Sequence, residues 1–206
     1  MFEYIDKFLQ NLNLSNLSEF QLDMIASTIL CLILYLSVLI IGFLVNKFEY
    51  GMMQLLARKM GGVKATMLCN RVTFPGVILH ELSHALLVIM TGAKVTKMIL
   101  FNPFDNKTLG SVEFKTRGGW LKTRIQLALS SCAPVIIGAI IIYFLIKITF
   151  IPGMILIFRI ILWYLIISIV CHMSMSKPDI KNYLKGLVAL LPITFVLVLL
   201  IKYLLL

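Results

Sequence analysis

The pentapeptide His80-Glu81-Leu82-Ser83-His84 lies in a stretch, Val72 to Ala93, that carries no other charge. A charged side chain at the centre of a bilayer costs about 2.5–3.5 kcal/mol on insertion scales, so ionisable groups there need partners that compensate their burial. On a helix, His80 and His84 sit one turn apart on one face, a spacing that lets both bind one zinc ion. Glu81 falls about 100° around from His80, near such a metal but free to act as a base. The 206 residues hold only three histidines, so a chance match to the pattern arises roughly one time in a hundred or less. Simple hydrogen bonding to neighbouring helices leaves the carboxylate without an identified partner, so metal binding is the stronger expectation.

Composition makes that stretch one of several. Hydrophobic residues make up 60% of the chain, charged residues 14%, and the mean hydropathy is +0.99. These values describe a polytopic membrane protein and exclude an ordinary soluble domain. The net charge of +10 is no nucleic-acid signal, because the basic residues fall between apolar runs. There they act as topology determinants and as contacts to anionic lipid headgroups. Cys31, Cys69, Cys132 and Cys171 show no paired spacing and read as buried free thiols. Residues 1–24 carry Glu3, Asp6, Glu19 and Asp23 against Lys7, without the basic start of a cleavable signal peptide. They are expected to form an amphipathic surface segment, with residues 25–206 as one membrane domain.

The fold class expected is all-α, with about five transmembrane helices and one small β-hairpin. The spans are Ile25–Val45, Pro75 to Thr91-Gly92, Ile125–Ile146, Pro152-Gly153 to Cys171, and Tyr183 to the C-terminus, with a kink at Pro192. Arg159 is expected to snorkel to the interface from the start of the fourth. Lys47, Arg58, Lys59, Lys64 and Arg71 surround the apolar patch Met52–Leu56, which reads as an interfacial or re-entrant helix. Over 94–116 the periodicity switches to strand, turn, strand, with Val112 and Phe114 alternating with Glu113 and Lys115. Seven Lys/Arg in 94–124, with Lys177, Lys181 and Lys185, place the hairpin and the 172–182 loop in the cytoplasm, together with the N-terminus. The five basic residues of 47–71 pull the other way.

A catalytic zinc centre needs a third protein ligand and an open position for water. Beyond the pentapeptide, the Asp, Glu and His residues are Asp105, Glu113, His172 and Asp179. Asp105 and Glu113 belong to the polar turn and polar face of the hairpin. Asp179, after Pro178, reads equally as a first-turn helix acid, a role compatible with ligation. His172 reads more readily as an interface histidine than as a metal ligand or a hydrogen-bond partner of substrate.

Taken together, these residues resemble the site-2 protease family of intramembrane zinc metalloproteases. In that family the zinc-binding helix leads into a glycine and a short hairpin, matched by Thr91-Gly92-Ala93-Lys94-Val95 and the strands to Thr116. A following Ala-Gly-Pro helix is matched by Ser131-Cys132-Ala133-Pro134. A final turn closing on Leu-Asp-Gly is matched by His172-Met173-Ser174-Met175-Ser176-Lys177-Pro178-Asp179. The likeness spans roughly 72–190. Departures are the missing glycine before Pro134, Ile137 where asparagine is frequent, no glycine after Asp179, and His172 near the usual asparagine.

The resemblance implies Zn2+ held by His80, His84 and Asp179, Glu81 as the catalytic base, and Pro134 and His172 beside the substrate. It implies a zinc metalloendopeptidase in the cell membrane, acting on membrane-embedded or membrane-proximal segments of protein substrates. The alternatives are a catalytically inactive binding or chaperone-like protein of the same fold, and a metal-ion transporter. An intact Glu81 speaks against the first, and the scarcity of polar residues in spans one, three and five against the second.

Overall fold

Long apolar runs with few helix-breaking residues dictate a helical molecule. The computed structural model describes residues 5, 7, 17–102 and 109–205. Most of the 1–24 surface segment and the hairpin tip with Asp105 therefore lie outside the described residues. The described helices are α1 (Glu19–Met60), α2 (Gly62–Val72), α3 (Phe74–Met90), α4 (Trp120–Thr149), α5 (Leu156–Val170) and α6 (Lys177–Leu205). Strands β1 (Lys94–Ile99) and β2 (Ser111–Lys115) form one antiparallel pair between α3 and α4.

Three helices, α1, α4 and α6, are long and apolar enough to cross a membrane, and a fourth crossing results if α2 and α3 count as one bent span. The break between them bends the chain by 72°. Pro75, in the first turn of α3, explains it, since proline has no N–H to continue the ladder from α2. Thr73 fills the gap by donating its hydroxyl to the carbonyl of Cys69 at 2.7 Å.

The helix boundaries correct several expectations. The helix that holds the first span does not end at Val45. It opens on a capping box between Ser18 and Gln21 and runs 42 residues, about 63 Å at 1.5 Å per residue. Charged Lys47, Glu49, Arg58 and Lys59 do not interrupt a helix, so the patch Met52–Leu56 continues α1 and is no separate interfacial piece. Gly61, at φ 83°, supplies the stop. The expected fourth span shrinks to the 15 residues of α5, roughly 22 Å against a core of about 30 Å. The turn at Pro152-Gly153 leads into an extended Ile155, which delays the helix start. Within α5, Arg159 is half-buried, its Nε buried and without a hydrogen-bond partner among the described residues. In contrast, α6 begins six residues before Tyr183.

Helix α4 is central, packed on α6, α3 and α5. At Gly186 a Cβ would overlap the carbonyl of Arg124 and the side chain of Ala128, so α6 approaches α4 backbone to backbone. Tyr35, Ala128, Cys132, Met175, Tyr183 and Leu190 share the core at this seam. The buried phenols are satisfied there: Tyr183 donates to the carbonyl of Tyr35 at 3.2 Å, and Tyr35 to Thr194 at 2.9 Å.

Candidate metal centre

One helix supplies two of the three groups. Helix α3 places His80 and His84 on the face toward α4 and α5, with ring centroids 4.7 Å apart. Its first turn leaves backbone N–H groups without intrahelical acceptors. Ser168 of α5 answers one, accepting from the N–H of Gly76 at 2.8 Å while donating to the carbonyl of Thr73 at 2.9 Å. Gly76 permits this approach, since a Cβ there would overlap the carbonyl of Ser168.

Each imidazole is held from behind by a main-chain carbonyl. His80 Nδ1 lies 2.6 Å from the carbonyl of His172, and His84 Nδ1 lies 2.7 Å from that of Ser130. A carbonyl only accepts, so each Nδ1 carries the proton and each Nε2 is left as a bare lone pair. These two Nε2 atoms stand 3.1 Å apart. Two lone pairs cannot hydrogen-bond each other, and a shared proton or a metal ion between them would relieve their repulsion.

Asp179 completes the group. Its Oδ2 is 3.9 Å from His84 Nε2, and ligand atoms of His80, His84 and Asp179 all lie within 4.8 Å of one another. Tetrahedral zinc with bonds of about 2.0–2.1 Å spaces neighbouring ligand atoms by roughly 3.3 Å. Two neutral imidazoles and one carboxylate at these separations fit a zinc ion with a fourth position open. Asp179 is fixed by a reciprocal cap at the start of α6. The N–H and hydroxyl of Ser176 donate to its Oδ2, and Asp179 N–H donates back to Ser176 Oγ at 3.3 Å. The helix-start role and the position beside the imidazoles therefore coexist.

Glu81 is buried but stands outside the three-residue group. A Cβ on Gly110, just before β2, would come within 2.6 Å of Glu81 Cγ, so the strand passes directly over the acid. The chain pinches there, where the N–H of Asn102 donates to the carbonyl of Leu109 at 2.6 Å. Glu113, another candidate acid, points away: it is exposed and 4.0 Å from Lys97.

Pro134 and His172 lie behind the imidazoles. Pro134 is buried inside α4, four residues after Ser130. The ring of His172 meets Thr73, Nε2 to Oγ1 at 2.7 Å. The Thr73 proton already goes to Cys69, so His172 donates from Nε2. Only its main-chain carbonyl touches the metal-binding pair.

The sequence reading missed Gln126, which is fully buried. Its Nε2 donates to the carbonyls of Thr91 and Arg117 at 3.0 and 3.1 Å, and its Oε1 accepts from Arg117 N–H at 2.9 Å. One side chain thus ties the end of α3, the hairpin exit and α4 together. An amide near the start of an apolar helix was the available signal. Among protein-family models, curated proteins and solved structures, none matches this chain.

Proposed function

We propose that this protein is an intramembrane zinc metalloprotease of the site-2 type, multi-pass in the cell membrane, that hydrolyses peptide bonds in membrane-embedded or membrane-proximal segments. The observation that carries this reading is the pair of bare Nε2 atoms, 3.1 Å apart and flanked by the Asp179 carboxylate. His80, His84 and Asp179 hold the ion. A zinc ion held there would supply Lewis acidity, activating a water near neutral pH and polarising the scissile carbonyl.

The chain's own groups do the rest. Glu81 accepts the proton of the attacking water on its carboxylate and delivers it to the leaving nitrogen. Glu81 and His84 are buried and His80 is half-buried, which limits bulk water at the reacting groups.

A helical substrate hides its carbonyls and must be extended before cleavage. The free edge of β2 suits that task by strand addition. Thr96 Oγ1 donates to the carbonyl of Glu113 at 3.0 Å, so Glu113 turns its main chain toward β1. By alternation, Val112 and Phe114 present their N–H and C=O groups outward. They line an open groove of about 650 Å³ with Lys115, Leu127 and Asn182. Its strand begins where Gly110 covers Glu81, which carries a docked segment to the base.

The test is metal content and cleavage of a membrane-peptide substrate in purified variants. Wild type and Glu81→Gln retain about one zinc per chain, and Glu81→Gln loses cleavage. His80→Ala and Asp179→Ala lose tight zinc binding. An Asp179→Ala protein with unchanged zinc affinity would falsify the site. Zinc binding without cleavage in the wild type favours the inactive binding protein.

A further inference from the structure

We propose that Pro134 is a positioning residue of the metal centre: it withholds the N–H that would otherwise occupy the Ser130 carbonyl, leaving that carbonyl to orient His84. In an α-helix the carbonyl of residue i accepts from the N–H of residue i+4. For Ser130 that donor is residue 134, and it is proline. Proline lacks the N–H, and its ring presses on the carbonyl four residues back, turning it off the helix axis. The Ser130 carbonyl accepts a hydrogen bond from His84 Nδ1–H instead, at 2.7 Å. Pro134 therefore sets the tautomer of His84 and aims its Nε2 at His80 and Asp179.

The second imidazole follows the same rule by another route. Helix α5 ends at Val170, so no following turn claims the carbonyl of His172, which accepts from His80 at 2.6 Å. One acceptor is released by a helix end and the other by a proline within a helix. Nothing at the end of α4 could replace the second, since that helix continues to Thr149.

This inference rests on the zinc reading of the site but has a readout of its own. Substituting Pro134 with Ala or Ser restores the N–H and lets the helix reclaim the Ser130 carbonyl. Loss of a ligand's outer partner typically weakens metal affinity about 10–100-fold. The expected result for both variants is a zinc Kd raised by that factor, with a thermal unfolding midpoint unchanged or higher, because the helical ladder is now complete. Pro192→Ala, the same change inside α6 away from any histidine, leaves zinc affinity unchanged. Histidine 15N shifts of the metal-free protein report the tautomer directly: wild-type His84 is Nδ1-protonated, and Pro134→Ala shows a mixture. Unchanged zinc affinity and an unchanged His84 tautomer in both Pro134 variants overturn the proposal. A wild type that takes up no zinc defeats the functional reading, and the tautomer measurement then decides the role of the proline alone.

Discussion

At the residue scale, His172 separates what a side chain does from what its backbone does. The ring bonds to Thr73 at the break between α2 and α3, while the carbonyl holds His80. His172→Ala deletes the ring and keeps the carbonyl. The expected cost is one hydrogen bond, about 0.5–1.5 kcal/mol of stability, with zinc affinity changed by less than about tenfold. Isothermal titration with zinc, beside thermal unfolding, checks both; loss of zinc in this variant while Asp179→Ala keeps it would make the imidazole of His172 the third ligand. The same distinction explains what could be read beforehand. The pairing of His80 with His84 was legible because their spacing on one helix is a local property. Asp179 follows 95 residues after His84 and was reached through resemblance to a known pattern, since long-range proximity has no local signature. The carbonyls of Ser130 and His172 were not legible at all, because residue identity says nothing about which main-chain acceptor is free. The one clue was Pro134 placed four residues after Ser130.

At the scale of elements, one buried amide ties the hairpin to α3. Gln126 uses both donors and its acceptor on Thr91 and Arg117, joining the end of α3 to the residues that leave β2. Gln126→Leu keeps the volume but strands those backbone groups in an apolar setting. A buried donor or acceptor left unsatisfied costs about 1–3 kcal/mol, so a loss in that range or above is expected in thermal unfolding. Amide exchange should rise in β2 and at Thr91 before it rises in α4 and α6, since the seam at Gly186 is untouched. Uniform exchange across the molecule would show that the amide is not a local tether. Hairpin strands were readable from the alternation at 111–115. Helix ends were less so: α1 overruns its apolar stretch because charge does not stop a helix, and α5 starts late because Ile155 is extended. Hydropathy locates what a membrane accepts, whereas helix length answers to caps and breakers.

At the scale of the whole molecule, the bend of 72° between α2 and α3 leaves two topologies. Either the pair crosses as one broken span, or it dips in and returns to the same side. A cytoplasmic N-terminus together with a cytoplasmic hairpin requires crossing. Loop 94–124 carries seven Lys/Arg and residues 177–185 three more, and the positive-inside rule draws both segments to the cytoplasm. The basic residues of 47–71, carried on α1 and α2, fit the re-entrant alternative, which sets them on the same side as the hairpin. A crossing pair puts residue 64 and residue 94 on opposite sides. Both positions are exposed, and the four native cysteines are buried, so single introduced thiols can be labelled over a low background. In intact cells a membrane-impermeant maleimide should modify Lys64→Cys and Ile151→Cys and spare Lys94→Cys until the cells are lysed. Labelling of 64 and 94 together from one side would make α2 and α3 a re-entrant loop. The metal group would then be reached from the surface on which that loop opens, and Asp179, brought by α6, would have to enter from the same side.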